Sequence, residues 1–475
     1  MVTPVQSSSS DTDAVARWVA VVDAVTVAAT LLAFIVVIGG GFRFWLGGIR
    51  VSVTSPAKLL AFAVAIGLIR HAWVRRPTLL SRVRVAARRV YSTDEWQAVW
   101  PAFAVTRVMV LAVGLLAVYT VGFPTPNPPY RIAMDEITNL PVRWDAGWYL
   151  DIASRGYTWK ATDAATQQNV AFFPAFPAIT WVVAKVFGNS LSAYVAGGLV
   201  VSHVAFLWAL LYFYRLARVD LGSDDKAVWA VRLLAAYPFS LFHGAMYTES
   251  LFLLGCVGAL VELRNNRPLR AAAWGLLVGL SRPNGFLLAV TLATFAGPSL
   301  LRTGRALWTR HNGALACVIV APVAGMLAYS TYLAWLTGNP FQWSAQHAAW
   351  GRTFKGLAPF VDVAGMIAHE GVGRYVSTAP YDALNAAAVA VALVLVFPIW
   401  RAFGLAYALF VCVNVIPPLV KGGSLSMGRL SSTLFPLFLY LALKCGHRSA
   451  FWLMFVFGAF QAFLAVLFYT WRPMF

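Results

Sequence analysis

The chain has 475 residues, of which 60% are hydrophobic and only 12% are charged. Its mean hydropathy of +0.70 excludes an ordinary soluble protein. Repeated apolar runs of about 20 residues can cross a hydrocarbon core about 30 Å thick, so we expect an all-α polytopic membrane protein. The net charge of +19 does not indicate a nucleic-acid partner, because most basic residues lie in short loops between the apolar runs, as the positive-inside rule describes.

The N-terminal part is predicted to contribute two extra transmembrane helices within residues 17–100. Residues 1–16 are polar and Ser-rich, which predicts a disordered tail. Spans follow at about 17–40 and 57–74, and the alternating residues around Gly47-Gly48 predict a β-hairpin between them. No small-residue cleavage site follows the first span, so we expect a retained helix and not a signal peptide. Arginines after the second span place the next segment in the cytoplasm.

Residues 101–475 are predicted to form a catalytic transmembrane domain, for a total of about 11–13 helices. Loop charges assign two long loops, 122–190 and 337–381, to the extracytoplasmic side. The first loop mixes aromatic and polar residues, which predicts amphipathic helices on the membrane surface. The remaining predicted spans are about 101–121, 191–215, 227–243, 248–263, 314–336, 383–400, 402–420, 430–443 and 450–470.

An apolar segment at 269–298 is interrupted by Ser281-Arg282-Pro283-Asn284-Gly285 and has basic residues on both flanks. One kinked span would put these flanks on opposite sides of the membrane. A hairpin of two short helices keeps both flanks in the cytoplasm and is favoured for that reason. Non-helical backbone at this depth is tolerated where it is buried in protein or lines a cavity, which makes Arg282 a candidate site residue.

Asp145 is the candidate catalytic carboxylate. It lies in the first long polar break of the chain, among Trp144, Trp148 and Tyr149. An acid among aromatic rings at a membrane surface is suited to general-base work, although a lone external carboxylate is more often simply solvated. Asp151 follows six residues later and need not share a helical face with Asp145, so we assign it a supporting role.

Several cations could bind a phosphate group, since Arg forks match phosphate oxygens. The candidates are Arg282, Arg429, Arg352, Lys355 and His243. The alternative for Arg352 and Lys355 is that they snorkel toward the interface. That alternative is weaker for Arg282, which lies between apolar halves where a charge is expensive.

The sequence has no Gly-rich nucleotide loop, Walker motif or metal-ligand cluster, so no cofactor and no metal is expected. Four cysteines lie in or beside apolar helices without paired spacing, which indicates small core residues: Cys256, Cys317, Cys412 and Cys445. An outward-facing transferase without a nucleotide loop cannot easily use a cytosolic sugar nucleotide. A lipid-linked sugar is therefore the natural donor.

Several motifs together resemble the GPI mannosyltransferase II (PIG-V-like) family of the GT-C superfamily. The first is Arg143–Tyr157, followed by Phe-Phe-Pro-Ala-Phe-Pro at 172–177. The others are Tyr237-Pro238 through Phe252, residues 281–285, Thr337–Phe341 and Gln346 through Arg352. The resemblance covers about residues 101–440.

The resemblance implies an inverting transfer of mannose from a polyprenyl-phosphate-sugar donor to a lipid or glycan acceptor, without a metal. By that analogy Asp145 is the general base, and membrane lipids are further partners. The implied substrate-binding residues are Trp144, Trp148, Tyr149, Tyr247, Glu249 and Asn284, although Glu249 at a helix start also fits a purely electrostatic role.

Two features depart from the family. The N-terminal extension has no counterpart in it, and the Ala-, Val- and Arg-rich composition without an ER retrieval signal indicates a bacterial chain. We therefore expect the bacterial cytoplasmic membrane, with the site facing the periplasm or exterior. This argues against a GPI anchor as the acceptor.

Two other functions stay open from the sequence. A flippase or transporter of lipid-linked sugars would be expected to have pseudo-symmetric halves with matching broken helices, and only one broken segment is evident. An oligosaccharide ligase would take its glycan from a diphosphate carrier.

Overall fold

The computed structural model describes residues 9–39, 42–46, 49–53, 55–75, 78–125, 128, 130–302 and 309–474. The chain divides into two compact units. The first comprises the residues up to Trp96 together with Val182–Gly197, and the second comprises Gln97–Trp181 and Gly198–Phe475.

The first unit contains α1 (Ser9–Gly39), β1 (Phe42–Leu46), β2 (Ile49–Val53), α2 (Pro56–Trp73) and α3 (Leu79–Tyr91). The strands pair antiparallel with Phe42 opposite Val53, which confirms the predicted hairpin; its Gly47-Gly48 turn lies outside the described residues. α1 begins inside the predicted tail 1–16, of which residues 1–8 also lie outside the described part.

A buried ion-pair network joins the three helices of this unit. Asp23 on α1 lies 2.8 Å from Arg70 Nε on α2 and 3.1 Å from Arg82 Nη1 on α3. Asp23 and Arg70 are both buried, so each charge is compensated by the other in an apolar setting. The network holds α1, α2 and α3 together.

Three helices have residues in both units. With these three, the helices of the second unit are α4 (Asp94–Thr120), α5 (Glu136–Asn139), α6 (Ala146–Arg155), α7 (Ala175–Phe187), α8 (Leu191–Leu221), α9 (Asp224–Ala236), α10 (Glu249–Arg264), α11 (Pro268–Gly279), α12 (Leu288–Arg302), α13 (Arg310–Thr337), α14 (Gln342–Ala345), α15 (Ala358–Thr378), α16 (Pro380–Phe403), α17 (Leu405–Gly422), α18 (Met427–Ser431), α19 (Phe435–Lys444) and α20 (His447–Tyr469). Short 3-10 segments lie at Ala161–Asp163, Asn169–Ala171, Pro238–Gly244, Gly285–Leu287 and Gln346–Trp350.

The protein is a multi-pass helical membrane protein, as predicted. In the described part of the chain, seven helices are long and apolar enough to cross a membrane, namely α2, α4, α8, α13, α16, α17 and α20. An eighth span results if Pro238–Gly244 and α10, bent by 98° at a short break, count as one. Two other predicted spans, at about 17–40 and 430–443, coincide with shorter apolar helices at Trp18–Phe34 and α19. The short apolar helix α7 lies within the predicted loop 122–190.

Both predicted loops contain helices, which were expected only in the first. In 122–190 the helices α5, α6 and α7 and two 3-10 segments are present. In 337–381 the chain forms α15, a helix of 21 residues with a kink at Gly371, where φ is 84°. Three glycines lie in this helix, and glycine weakens a helical pattern in the sequence.

Residues 269–298 form two short helices, α11 and α12, that meet at a break. Gly275 contacts Ala321 and Pro322, and the last turn of α11 contacts Gly325, so α11 and α13 run in the same direction. This contact requires glycine at Gly279, because a Cβ there would overlap the Pro322 carbonyl.

The link between α12 and α13 gives the direction of α12. The eight Cα–Cα steps from Arg302 to Arg310 reach at most about 28 Å, whereas the 28 residues of α13 extend over about 42 Å. The end of α12 must therefore return toward the start of α13. α11 and α12 form the hairpin that the flanking charges favoured, with Arg282 near its tip.

Candidate active site

Asp145 immediately precedes α6 and does not use its side chain to cap that helix. The residue before it, Trp144, has a left-handed backbone with φ 55°. This conformation is uncommon for a bulky residue and is typical of strained functional segments. Because it does not cap the helix, the Asp145 carboxylate is available for other contacts.

Two neighbours fix the Asp145 segment to the C-terminal end of α20. Arg143 is fully buried and donates from Nε to the Tyr469 carbonyl at 2.9 Å, and its Nη2 lies 3.0 Å from Glu136. Trp144 Nε1 donates to the Phe468 carbonyl at 3.2 Å. The Trp144 indole is thus an anchor, which differs from the substrate contact predicted for it.

Asp145 makes one ion pair and one backbone contact. Its Oδ2 lies 2.6 Å from Arg429 Nη1, and its backbone N–H donates to Tyr247 Oη at 3.0 Å. Tyr247 in turn donates to the Arg143 carbonyl at 3.2 Å. The side chain is 23% exposed, and among the described residues its Oδ1 makes no hydrogen bond. One carboxylate oxygen is therefore fixed and the other is open.

Glu249, the first residue of α10, links two arginines. Its Oε1 lies 2.9 Å from Arg429 Nε and 3.3 Å from Arg282 Nη1, and its side chain is 0% exposed. Burial opposes the charge of Arg429, but Glu249 and Asp145 together outweigh it and raise the pKa of Arg429. We call Asp145, Arg429, Glu249 and Arg282 the paired chain. Full burial contradicts the substrate contact predicted for Glu249.

Two further predicted residues are occupied elsewhere. Asp151 accepts from Asn169 Nδ2 at 3.0 Å and lies 3.6 Å from Arg155, so it supports the first loop. Asn284 donates to Asn414 Oδ1 on α17 at 2.7 Å. Neither is joined to the paired chain by a hydrogen bond or an ion pair in the described part of the protein.

His243 is not accessible to a phosphate, contrary to the prediction. It is fully buried and stacks on Phe206 with ring centroids 4.4 Å apart. Its ring nitrogens lie 3.3 Å from Ser250 Oγ and 3.4 Å from the Ser432 carbonyl. The imidazole therefore packs the 3-10 segment against neighbouring helices.

The aromatic residues near Asp145 fall into two groups. Tyr149 is buried against Phe172 and Tyr247, with centroids 5.1 and 6.2 Å away. Trp148 is partly exposed and forms a triangle with Phe172 and Trp350, with centroid distances from 5.6 to 5.9 Å. Phe172 and Trp350 lie within the motifs quoted from the sequence but were not predicted as site residues.

A second group of cations adjoins the paired chain. Arg352 Nη2 donates to the Leu425 carbonyl at 3.1 Å, and Lys421 Nζ donates to Ser344 Oγ at 2.6 Å and to its carbonyl at 3.0 Å. Burial, followed by Arg429, lowers the pKa of Arg352 to about 10. We call Arg352 and Lys421 the unpaired pair, because neither has an ion-pair partner among the described residues. Lys421 was not among the residues predicted for the site.

His347 lies beside the unpaired pair. Burial, then the charges of Arg352 and Lys421, lower the pKa of His347 to about 3. The imidazole is therefore neutral at ordinary pH. In the described ranges, no group of three or more His, Cys, Asp or Glu residues could hold a metal ion.

Residues 130–300 match the sequence model of the family described as mannosyltransferase (PIG-V). This segment is therefore similar to the PIG-V mannosyltransferase family. It contains Asp145, Glu249 and Arg282, so three members of the paired chain lie within the family segment. Arg352, Lys421 and Arg429 follow it in the sequence. The resemblance inferred from the motifs is confirmed.

Two relatives are similar to parts of the chain. GPI mannosyltransferase 2 of Drosophila pseudoobscura pseudoobscura is 28% identical over 232 residues, which is 42% of this chain and 48% of that protein. GPI alpha-1,6-mannosyltransferase 2 of Cricetulus griseus is 31% identical over 159 residues, 30% of this chain and 29% of that protein. The chain thus matches about half the length of the first relative and less than a third of the second.

Among solved structures, the oligosaccharyltransferase of Archaeoglobus fulgidus in the apo form has a TM-score of 0.42 at 12% identity, over 77% of this chain and 56% of that one. ArnT of Cupriavidus metallidurans bound to undecaprenyl phosphate has a TM-score of 0.37 at 16% identity, over 72% and 61%. No residue of the family segment is assigned a role from superpositions this partial.

Proposed function

We propose that this chain is an integral-membrane glycosyltransferase that moves a mannosyl group from a polyprenyl-phosphate-sugar donor to a lipid or glycan acceptor. The observation that carries this proposal is the geometry of Asp145. Arg429 fixes one carboxylate oxygen at 2.6 Å, and the other has no hydrogen-bond partner in the described part of the chain. A general base needs such a free, oriented oxygen.

In the proposed reaction the acceptor hydroxyl approaches Asp145 Oδ1 and transfers its proton there as its oxygen attacks C1 of the sugar. The new glycosidic bond forms while the bond between C1 and the phosphate oxygen breaks, with inversion at C1. The carrier phosphate leaves with the bonding electron pair. Fixed cations near the leaving oxygen stabilise the charge that develops there, and the adjoining guanidiniums are the available source.

The surroundings support this assignment. The partly exposed triangle of Trp148, Phe172 and Trp350 lies on the α6 side of Asp145. Aromatic faces of this kind provide apolar contact area for ligands with little loss of conformational entropy. We place the sugar between this triangle and the paired chain, with the carrier chain in the surrounding lipid. The charge asymmetry of the loops supports a position of this face on the periplasmic or exterior side of a bacterial cytoplasmic membrane.

The test is an assay of mannosyl transfer with radiolabelled polyprenyl-phosphate-mannose in membranes that contain the full chain. Asp145→Asn keeps the shape of the side chain but removes its basicity, and we expect kcat to fall about 100- to 10,000-fold. Asp151→Asn serves as the matched control, and we expect a change of less than about tenfold because Asp151 supports the loop through Asn169. Equal rates for wild type and Asp145→Asn would refute the assignment of the base.

The same assay separates the two other functions. A ligase would use a polyprenyl-diphosphate glycan and ignore the monophosphate donor. A flippase would move the donor across the membrane at the same rate in wild type and in Asp145→Asn, without forming a glycosidic bond.

A further inference from the structure

The charges of the paired chain cancel. Asp145 and Glu249 carry two negative charges, and Arg429 and Arg282 carry two positive ones, with contacts between 2.6 and 3.3 Å. Each arginine therefore has its charge compensated within the protein before any ligand arrives. A phosphate that approached the paired chain would have to compete with Asp145 and Glu249 for the two arginines.

The unpaired pair has a different composition. Arg352 donates one hydrogen bond to a carbonyl, and Lys421 donates two to Ser344. No carboxylate of the described residues forms an ion pair with either side chain. A guanidinium has five N–H donors, so four donors of Arg352 remain for a ligand. The pair therefore has the composition of an anion-binding site.

The backbone brings these two cations together at the end of α17. The Lys355 N–H donates to the Val420 carbonyl at 2.8 Å, which holds the loop after α14 against the last turn of that helix. The Arg352 side chain then lies over Gly422, where a Cβ would be 3.2 Å from its Cγ. A Cβ there would force the Arg352 side chain to shift, so glycine favours this close approach, next in sequence to Lys421.

The unpaired pair is close to the paired chain. The charge on Arg352 is disfavoured first by burial, then by Arg429, favoured by Asp145 and disfavoured by Arg282. Arg352 is therefore within electrostatic range of both ends of the paired chain. An anion bound at Arg352 would therefore lie near the sugar in the site proposed around Asp145.

We propose that Arg352 and Lys421 bind the phosphate of the lipid carrier, whereas Arg282 and Arg429 hold and orient the two carboxylates. This assignment rests on the proposed function and divides its cations into two roles. The phosphate is that of a polyprenyl phosphate, as the donor diester before transfer and as the monoester after it. The headgroup phosphate of an acceptor phospholipid has the same chemistry, and the experiment distinguishes the two sources.

The test measures binding of sugar-free polyprenyl phosphate to the full chain in nanodiscs of neutral lipid. Each of Arg352→Gln and Lys421→Gln removes one charge-assisted contact, and we expect affinity to fall about tenfold or more per substitution. Lys160→Gln is the matched control, since Lys160 is an exposed lysine of the first loop, and we expect less than about twofold change. Arg282→Gln should change affinity less than Lys421→Gln does.

Three outcomes overturn the assignment. One is unchanged affinity in both Arg352→Gln and Lys421→Gln, and a second is an equal loss in Lys160→Gln. The third is displacement of the carrier by an equal concentration of phosphatidylglycerol, which would assign the pair to a phospholipid headgroup. Loss of transfer in Asp145→Asn with carrier binding retained tests the base separately, so either proposal can fail alone.

Discussion

Arg282 and Arg429 differ from Arg352 and Lys421 in what surrounds them. The first two are nearly enclosed, at 5% and 11% exposed, and each contacts a carboxylate. The second two are partly exposed and held by carbonyl and hydroxyl oxygens. Buried charges must be compensated within the fold, whereas partly exposed charges need no partner within the protein and can bind a ligand. The same residue types can therefore serve architecture on one side of a site and binding on the other.

The largest expected effect is that of removing the carboxylate that joins the paired chain. Glu249→Gln leaves Arg282 and Arg429 buried with one anion fewer, and losing one partner of a buried ion pair costs about 3–5 kcal/mol. Thermal and denaturant unfolding in detergent micelles should report a drop of this size. The double variant Glu249→Gln/Arg282→Gln should recover part of the lost stability, because it also removes a cation that has lost its carboxylate partner. Stability equal to wild type in the single variant would contradict the paired role.

A second expected effect is on kcat and compares the two kinds of cation directly. Arg429 uses Nη1 for Asp145 and Nε for Glu249, and a lysine has only one nitrogen. Arg429→Lys should therefore misplace Asp145 and lower kcat about 100-fold, with carrier binding retained.

Lys421→Arg is the matched exchange at the unpaired pair. It keeps a charge for a single phosphate, and transfer should stay within about fivefold of wild type. Transfer kinetics and carrier binding, measured on both variants, check the pair of predictions. Loss of carrier binding in Arg429→Lys would place the phosphate on the paired chain instead.

The sequence was sufficient to predict the membrane class and the two short helices that flank the break at Arg282, because these follow from local patterns. Hydrophobic runs and flanking charges carry that information. The role of Asp145 stays a prediction. The pairing could not be predicted, since Asp145 and Arg429 are 284 residues apart. A local sequence pattern does not determine which arginine forms an ion pair with which carboxylate when the two are far apart in the sequence.

Two individual residues illustrate the same limit. His243 was predicted as a phosphate partner, but Phe206 stacks on its ring and closes access. Lys421 was not singled out, because a lysine in the last turn of a helix is ordinarily explained by the helix dipole. Only the fold brings Arg352 beside it. Exposure and partnership, unlike residue type, are set by tertiary packing.

A third expected effect is on stability at acidic pH. Burial, Arg352 and Lys421 lower the pKa of His347 from 6.5 to about 3. Below pH 6.5 the unfolded chain binds a proton that the folded chain does not, so stability falls as the pH decreases. At pH 5 this amounts to about 2 kcal/mol relative to a variant without the imidazole.

Unfolding of wild type and His347→Gln at pH 7.5 and pH 5 measures this difference. Wild type should lose more stability than the variant between the two pH values. Polyprenyl phosphate should reduce the loss, because an anion at the unpaired pair offsets the two cations that oppose protonation. The same pH response in both proteins would show that Arg352 and Lys421 do not lower the pKa of His347.

The smallest expected effect concerns the hydroxyl that positions Lys421. Ser344→Ala removes the 2.6 Å contact to Lys421 Nζ but leaves the 3.0 Å contact to the Ser344 carbonyl. A hydrogen bond to a charged group is worth about 1.5–3 kcal/mol, and the remaining carbonyl contact retains part of it. We expect the KM for polyprenyl-phosphate-mannose to rise about two- to fivefold with kcat unchanged. If Lys421 only compensated the dipole of α17, Ser344→Ala would leave KM unaltered, so a small, selective rise in KM separates phosphate binding from a purely structural lysine.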